Sequence, residues 1–129
     1  MDTKLERIEF DTRIPIYIQI MDYIKRQIVT GELSCGAKLP SVREMAAVFK
    51  VNPNTLQRVY QELEREGITF TQRGLGTFVS ERPDIVLELQ KDMANGLIRQ
   101  FISGMKTIGY SNERIIKEVA DYLYKEDMK

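Results

Sequence analysis

Apolar side chains recur along this chain at helical spacing in five places and alternate in one. Ile16, Ile20, Ile24 and Ile28 stand four apart between Pro15 and Thr30-Gly31, which predicts a helix with Pro15 as its first residue and a single apolar stripe. Val42, Met45, Ala46 and Phe49 follow the i, i+3, i+4, i+7 series of a second helix. Pro40 precedes it, and Ser41 and Glu44 have capping-box spacing, so each side chain can satisfy the other's backbone N–H. Leu56, Val59, Tyr60 and Leu63 repeat the pattern in a third helix, opened by Asn52 as N-cap and Pro53 as first residue, and stopped by Gly67. Lys50 and Val51 leave only a tight turn between the second and third helices. Past Gly67 the period shortens: residues 68–72 and 77–80 are rich in β-formers, and Arg73-Gly74-Leu75-Gly76 between them predicts a hairpin.

A helix, a helix-turn-helix pair and a glycine-tipped hairpin, in that order, make a winged helix-turn-helix. The apolar stripe of the third helix turns Asn54, Gln57, Arg58 and Gln61 outward, and Arg43 lies off the stripe of the second. Arg73 puts a guanidinium at the hairpin tip, where two glycines let the backbone approach a phosphate or groove closely. Leu39 is expected to plug the core, and residues 1–13 to form a loose arm with a brief strand near Ile8.

After Glu81-Arg82-Pro83-Asp84, Val86, Leu89, Met93, Leu97, Ile98, Phe101, Ile102 and Met105 predict a long helix to about Lys106. Gly96 and Gly104 weaken it by roughly 1 kcal/mol each relative to alanine. Gly109 breaks the run, and Ser111 caps a last helix carrying Ile115, Ile116, Val119, Ala120 and Leu123. The fold class is mainly α with a small β-hairpin: a winged helix-turn-helix over 1–80 and a helical tail over 81–129. Two helices so apolar cannot close a core on themselves, so the tail is expected to pair with a second copy into a four-helix interface. Leu89, Met93, Leu97, Phe101, Met105, Ile115, Val119 and Leu123 are its candidate residues.

Charge sharpens this picture. The 129 residues carry 19 basic and 19 acidic side chains, a net of zero that argues at first sight against a polyanionic partner. Yet between Gly36 and Gln61 the only charges are Lys38, Arg43, Lys50 and Arg58 against Glu44, a local +4 − 1 = +3. From Glu81 to Lys129 eight basic residues meet nine acidic ones, so the tail is not expected to bind DNA. The absence of histidine removes the usual acid–base switch and the commonest zinc ligand, and no nucleophile elbow, P-loop or paired carboxylate motif points to an enzyme. Cys35 alone cannot form an intrachain disulfide; it is read as an inert loop thiol, with redox sensing the lesser alternative. Tyr110, Tyr122 and Tyr124 suit interface packing better than a ligand pocket. No apolar run of about 18 residues or signal-peptide segment occurs, so a cytoplasmic protein without membrane contact is expected.

Four separated motifs then fall in one order: Leu39-Pro40-Ser41-Val42-Arg43, Val51-Asn52-Pro53-Asn54-Thr55-Leu56, Glu66-Gly67 and Gly74-Leu75-Gly76-Thr77-Phe78-Val79. Over about residues 12–80 the chain resembles the GntR family of bacterial transcription regulators. Its short tail and the Asn-Pro-Asn-Thr start of the third helix resemble the YtrA-type subfamily. The resemblance implies a homodimer without a large effector domain, commonly a repressor of an operon encoding an ABC transporter. It places DNA contacts on Ser41 and Arg43, on Asn52, Asn54, Thr55, Gln57 and Arg58, and on Arg73, Gly74, Gly76 and Thr77. Pro53 departs from the pattern, since many relatives carry a basic residue there, so the operator read should differ. No cofactor is implied, and any small-molecule effector would have to bind at the dimer interface or between tail and DNA-binding domain. Winged helices also serve as protein–protein modules that never touch DNA, and the feature that separates the two readings is the amide-rich, basic start of the third helix.

Overall fold

The isoleucine series resolves into α1 (Ile16–Val29), in which Ile20, Ile24 and Ile28 are buried together with Met21. A computed structural model describes residues 5, 6 and 8–127 of the chain. Two details of the expected first helix change. Pro15 is the N-cap and not the first helical residue: at ψ 136° it is extended, and its carbonyl accepts from the N–H groups of Ile18 and Gln19. Ile16 lies outside the core at 43% exposure, because the first turn of α1 is at the surface with Ile14 and Ile18 equally exposed.

The arm before α1 is tied down where looseness was expected. Gln19 accepts from the Asp11 N–H through Oε1 at 2.8 Å and donates through Nε2 to the carbonyls of Asp11 and Ile14, while the Tyr23 hydroxyl accepts from the Glu6 N–H. Leu5 is buried. Among the described residues no strand forms around Ile8; the arm's backbone takes side chains of α1 as partners. Residues 1–4 and Arg7, also part of that expected arm, lie outside the described residues.

Next come α2 (Val42–Phe49) and α3 (Pro53–Arg65), and α3 packs against both α1 and α2. Leu39, Met45, Phe49, Leu56, Val59, Leu63 and Val79 are almost wholly removed from solvent, and each such side chain contributes about 1.5–3 kcal/mol. Phe49 also meets the Tyr23 ring edge to face, with centroids 5.6 Å apart. Gly67, at φ 77°, ends α3: its N–H reaches the Glu64 carbonyl and that of Ile68 reaches Leu63, which turns the chain directly into the hairpin.

The hairpin pairs β1 (Thr69–Gln72) with β2 (Gly76–Val79) antiparallel, from Thr69 opposite Val79 to Gln72 opposite Gly76. The other edge of β2 is also occupied. The Leu39 N–H donates to the Thr77 carbonyl and the Val79 N–H to the Ala37 carbonyl, both at 2.8 Å, so residues 37–39 lie beside β2 and carry the chain into α2. The wing is thereby tied to the start of the helix-turn-helix.

By contact the chain divides into units Met1–Gln90 and Lys91–Lys129, with the division falling inside α4 (Pro83–Thr107). In the second unit α4 ends at Gly109 with the same pattern as α3: Gly109 N–H to Lys106 and Tyr110 N–H to Met105. Then α5 (Asn112–Asp127) starts with the Ser111 hydroxyl accepting from the Arg114 N–H. Among the described residues, no helix is long and apolar enough to cross a membrane. The expected class, mainly α with one hairpin built as a winged helix-turn-helix, is what the chain forms.

Candidate nucleic-acid interface

Two caps and one strained residue aim the start of α3. The Ser41 hydroxyl accepts from the Glu44 N–H at 3.1 Å and the Glu44 carboxylate accepts from the Ser41 N–H at 3.0 Å, so the expected capping box is complete. The backbone bond from Ser41, with its hydroxyl second, holds the Glu44 carboxyl below the usual glutamate range. At the other end of α2, Lys50 adopts the left-handed region at φ 55°, ψ 50°, which costs a side-chain-bearing residue about 1–2 kcal/mol. That single residue reverses the chain between the two helices. Asn52 Oδ1 then accepts from the Asn54 N–H at 2.8 Å, and Pro53 supplies the preset first residue of α3.

With Leu56, Val59, Tyr60 and Leu63 all buried behind it, the opposite face of α3 presents Asn54, Gln57, Arg58 and Gln61 to solvent. Asn52 is exposed and Thr55 half-buried. Asn52 and Ser41 each use one acceptor lone pair on a cap, which leaves an NH₂ group and a hydroxyl hydrogen, with one lone pair apiece, to offer a ligand. Arg43 is exposed on the first turn of α2. The spacing of α2 from α3 is set from below: the buried Tyr60 hydroxyl donates to the Pro40 carbonyl, and burial with the nearby Glu44 charge pushes the phenol well above its ordinary range.

In the wing, Arg73, Gly74 and Leu75 form the exposed loop between the strands, with Gly74 at φ 83°. Thr77 lies opposite Thr71, their hydroxyls 3.4 Å apart. Gly76, at φ 124°, answers to a neighbour as well as to the turn. A Cβ there would stand 2.9 Å from Lys38 Cε, the movable end of a long side chain, so the lysine stem lies across the wing while it is the left-handed φ that calls for glycine. Lys38 is a residue the sequence reading counted for its charge without assigning it a contact. The signal was a cation adjoining the Leu39 plug, but its neighbour 38 positions on is visible only in the fold.

Arg58 also has an unforeseen partner. Its Cζ lies 3.6 Å from the centroid of the Tyr17 ring on α1. Glu62, four positions on, bonds Arg65 instead, which keeps the Glu62 carboxyl low.

The candidate dimer residues divide. Leu89 and Ile115 are already buried in the single chain, Met93, Met105 and Val119 are half-buried, and Leu97, Phe101 and Leu123 are exposed. Within the second unit, Phe101, Met105, Tyr110, Val119, Tyr122 and Leu123 line an open, largely apolar cavity of about 580 Å³. Cys35 is exposed in its loop.

Residues 16–79 match the family model described as bacterial regulatory proteins, gntR family. The HTH-type transcriptional regulator YhcF of Bacillus subtilis is 45% identical over 88% of this chain and 94% of its own length. The transcriptional repressor YtrA of the same organism is 40% identical over 88% of the chain and 92% of its length. A GntR family transcriptional regulator from Listeria monocytogenes, 45% identical, superposes with a TM-score of 0.81 over 87% of this chain and 98% of that one. Similarity therefore extends from the helix-turn-helix through most of the tail, and of the two readings left open by the winged fold it selects the DNA reader. The chain belongs to the GntR family of DNA-binding bacterial transcription regulators.

Proposed function

We propose that the protein is a homodimeric cytoplasmic repressor in which residues 1–80 read an operator and residues 81–129 pair the two copies. The observation that carries this reading is the start of α3, where Asn54, Gln57 and Arg58 stand exposed in front of a closed apolar row. Amides pair bidentately with adenine and guanidinium groups with guanine or phosphate. Arg43 contributes from the first turn of α2, Ser41, Asn52 and Thr55 line the helix starts, and Arg73, Gly74, Gly76 and Thr77 bring the wing to the backbone. The exposed Leu97, Phe101 and Leu123 support a tail that needs a second copy, with the half-buried Met93, Met105 and Val119 and the buried Leu89 and Ile115 as further candidates. On the resemblance drawn from the motifs, the regulated operon encodes an ABC transporter, and a small-molecule effector would act at the tail.

Selection of duplexes from a randomised pool tests the reading. The expected product is a pseudo-palindrome whose half-site centres lie one helical turn or a multiple apart, bound by a species of twice the chain mass. Binding should fall steeply with salt, as phosphate contacts release counterions. A chain that enriches no sequence, or that binds duplex as a monomer with no salt dependence, would overturn it.

A further inference from the structure

Arg58 reaches solvent from the outward face of α3 with its guanidinium over the Tyr17 ring. Tyr17 belongs to the first turn of α1, is half-buried, and lies outside every motif from which DNA contacts were carried over. Among the described residues, no carboxylate lies within ion-pair distance of Arg58, because Glu62 one turn on is held by Arg65.

Attraction to a ring face uses none of the five guanidinium N–H donors, whereas a carboxylate partner would occupy two of them and cancel the charge. An arginine held this way keeps the donors along its edge for a ligand. It also loses less rotamer freedom on meeting a ligand than a free arginine does, since the ring already restricts it.

We propose that Tyr17 is a positioning residue for DNA binding: it holds Arg58 in the orientation from which the guanidinium grips the operator backbone. The inference rests on Arg58 as a DNA contact, as read above, and adds a residue of α1 to the reading machinery. It assigns Tyr17 no contact with DNA of its own.

The test is a double-mutant cycle in the full chain, titrating by fluorescence anisotropy a duplex that the wild-type protein has selected from a randomised pool. Tyr17→Phe, which keeps the ring, should bind within about twofold of wild type. Tyr17→Leu, which keeps apolar bulk without the ring face, should bind about three- to tenfold more weakly. Arg58→Ala should weaken binding at least as much and lower the slope of log K against log salt by about one. In the Arg58→Ala background, Tyr17→Leu should then have no further effect, a result that a merely structural role for the tyrosine would not give. Melting of each variant, followed by circular dichroism, should stay within a few degrees of wild type.

Additive losses in the double variant overturn the proposal, as does Tyr17→Phe binding as weakly as Tyr17→Leu, which would move the contact to the hydroxyl. Arg58→Ala binding like wild type overturns it while leaving DNA binding intact. A wild-type chain that selects no duplex sinks the underlying reading instead.

Discussion

The winged unit and the helical tail draw on the same apolar vocabulary and reach different ends. Of the 18 buried hydrophobic residues among those described, 17 lie at or before Leu89, and Ile115 stands alone in the second unit. The exposed large hydrophobics run the other way, with Leu97, Ile98, Phe101, Ile108, Ile116, Tyr122, Leu123 and Tyr124 all between 44% and 70% exposed. A third helix packed on the first two and a wing tied to residues 37–39 cover each other's stripes. Two helices joined by one elbow cannot. A unit that closes its own core is free to spend its polar face on recognition; one that does not leaves an apolar face open for association.

That contrast can be broken in several places. The largest effect is expected from Leu56→Ala, which empties a fully buried site between α3 and its neighbours and should destabilise the winged unit by about 2–5 kcal/mol. Melting should drop by the same amount at every protein concentration, the mark of a core that belongs to one chain. Phe101→Glu combined with Leu123→Glu should do the reverse. The winged unit should keep its fold while light scattering reports half the wild-type mass and affinity for a selected duplex falls about a hundredfold, through loss of the second reading head. An unchanged mass would mean that these residues do not join two copies.

Smaller changes sharpen the comparison from within the reading unit. Arg43→Ala should weaken duplex binding by about 1–3 kcal/mol in a gel-shift titration and leave the melting curve where it was. Ser41→Ala removes one half of the capping box and should cost about 1 kcal/mol in chemical denaturation.

The finest test is the pH dependence of that box. Glu44 is held below its ordinary range in the fold, so its contribution is fully present above the unfolded glutamate value of 4.5 and is lost as pH falls through the lower folded value. Stability measured from neutral pH downward should therefore decline across that acidic window. Glu44→Gln should flatten this part of the profile.

Much of the reading unit was legible because its signals are local. A cap speaks to a residue two or three positions away, so Ser41, Glu44, Asn52 and Pro53 fixed both helix starts, and the rows from Met45 to Phe49 and Leu56 to Leu63 fixed the buried faces. What escaped was contact between distant segments. The stacking of Arg58 on Tyr17, the Tyr60 hydroxyl on the Pro40 carbonyl and the lysine stem over Gly76 each join separate elements through side chains whose local setting gives no hint of the partner. The arm failed for a related reason: Gln19 and Tyr23 on α1 read as ordinary polar positions, and only their reach back to residues 6–14 makes them anchors. Pro15 was displaced by one position because its fixed φ suits a cap as well as a first helical residue.

Gly76 carries two duties at once, the bend of the wing and the berth of Lys38. One codon therefore sets the curvature of the hairpin and borders the path of an ammonium group, so a replacement would strain the backbone and push the lysine end aside. Efforts to retune operator preference through the wing should accordingly vary Arg73 or Thr77, whose side chains are free of that double obligation, and leave this glycine untouched.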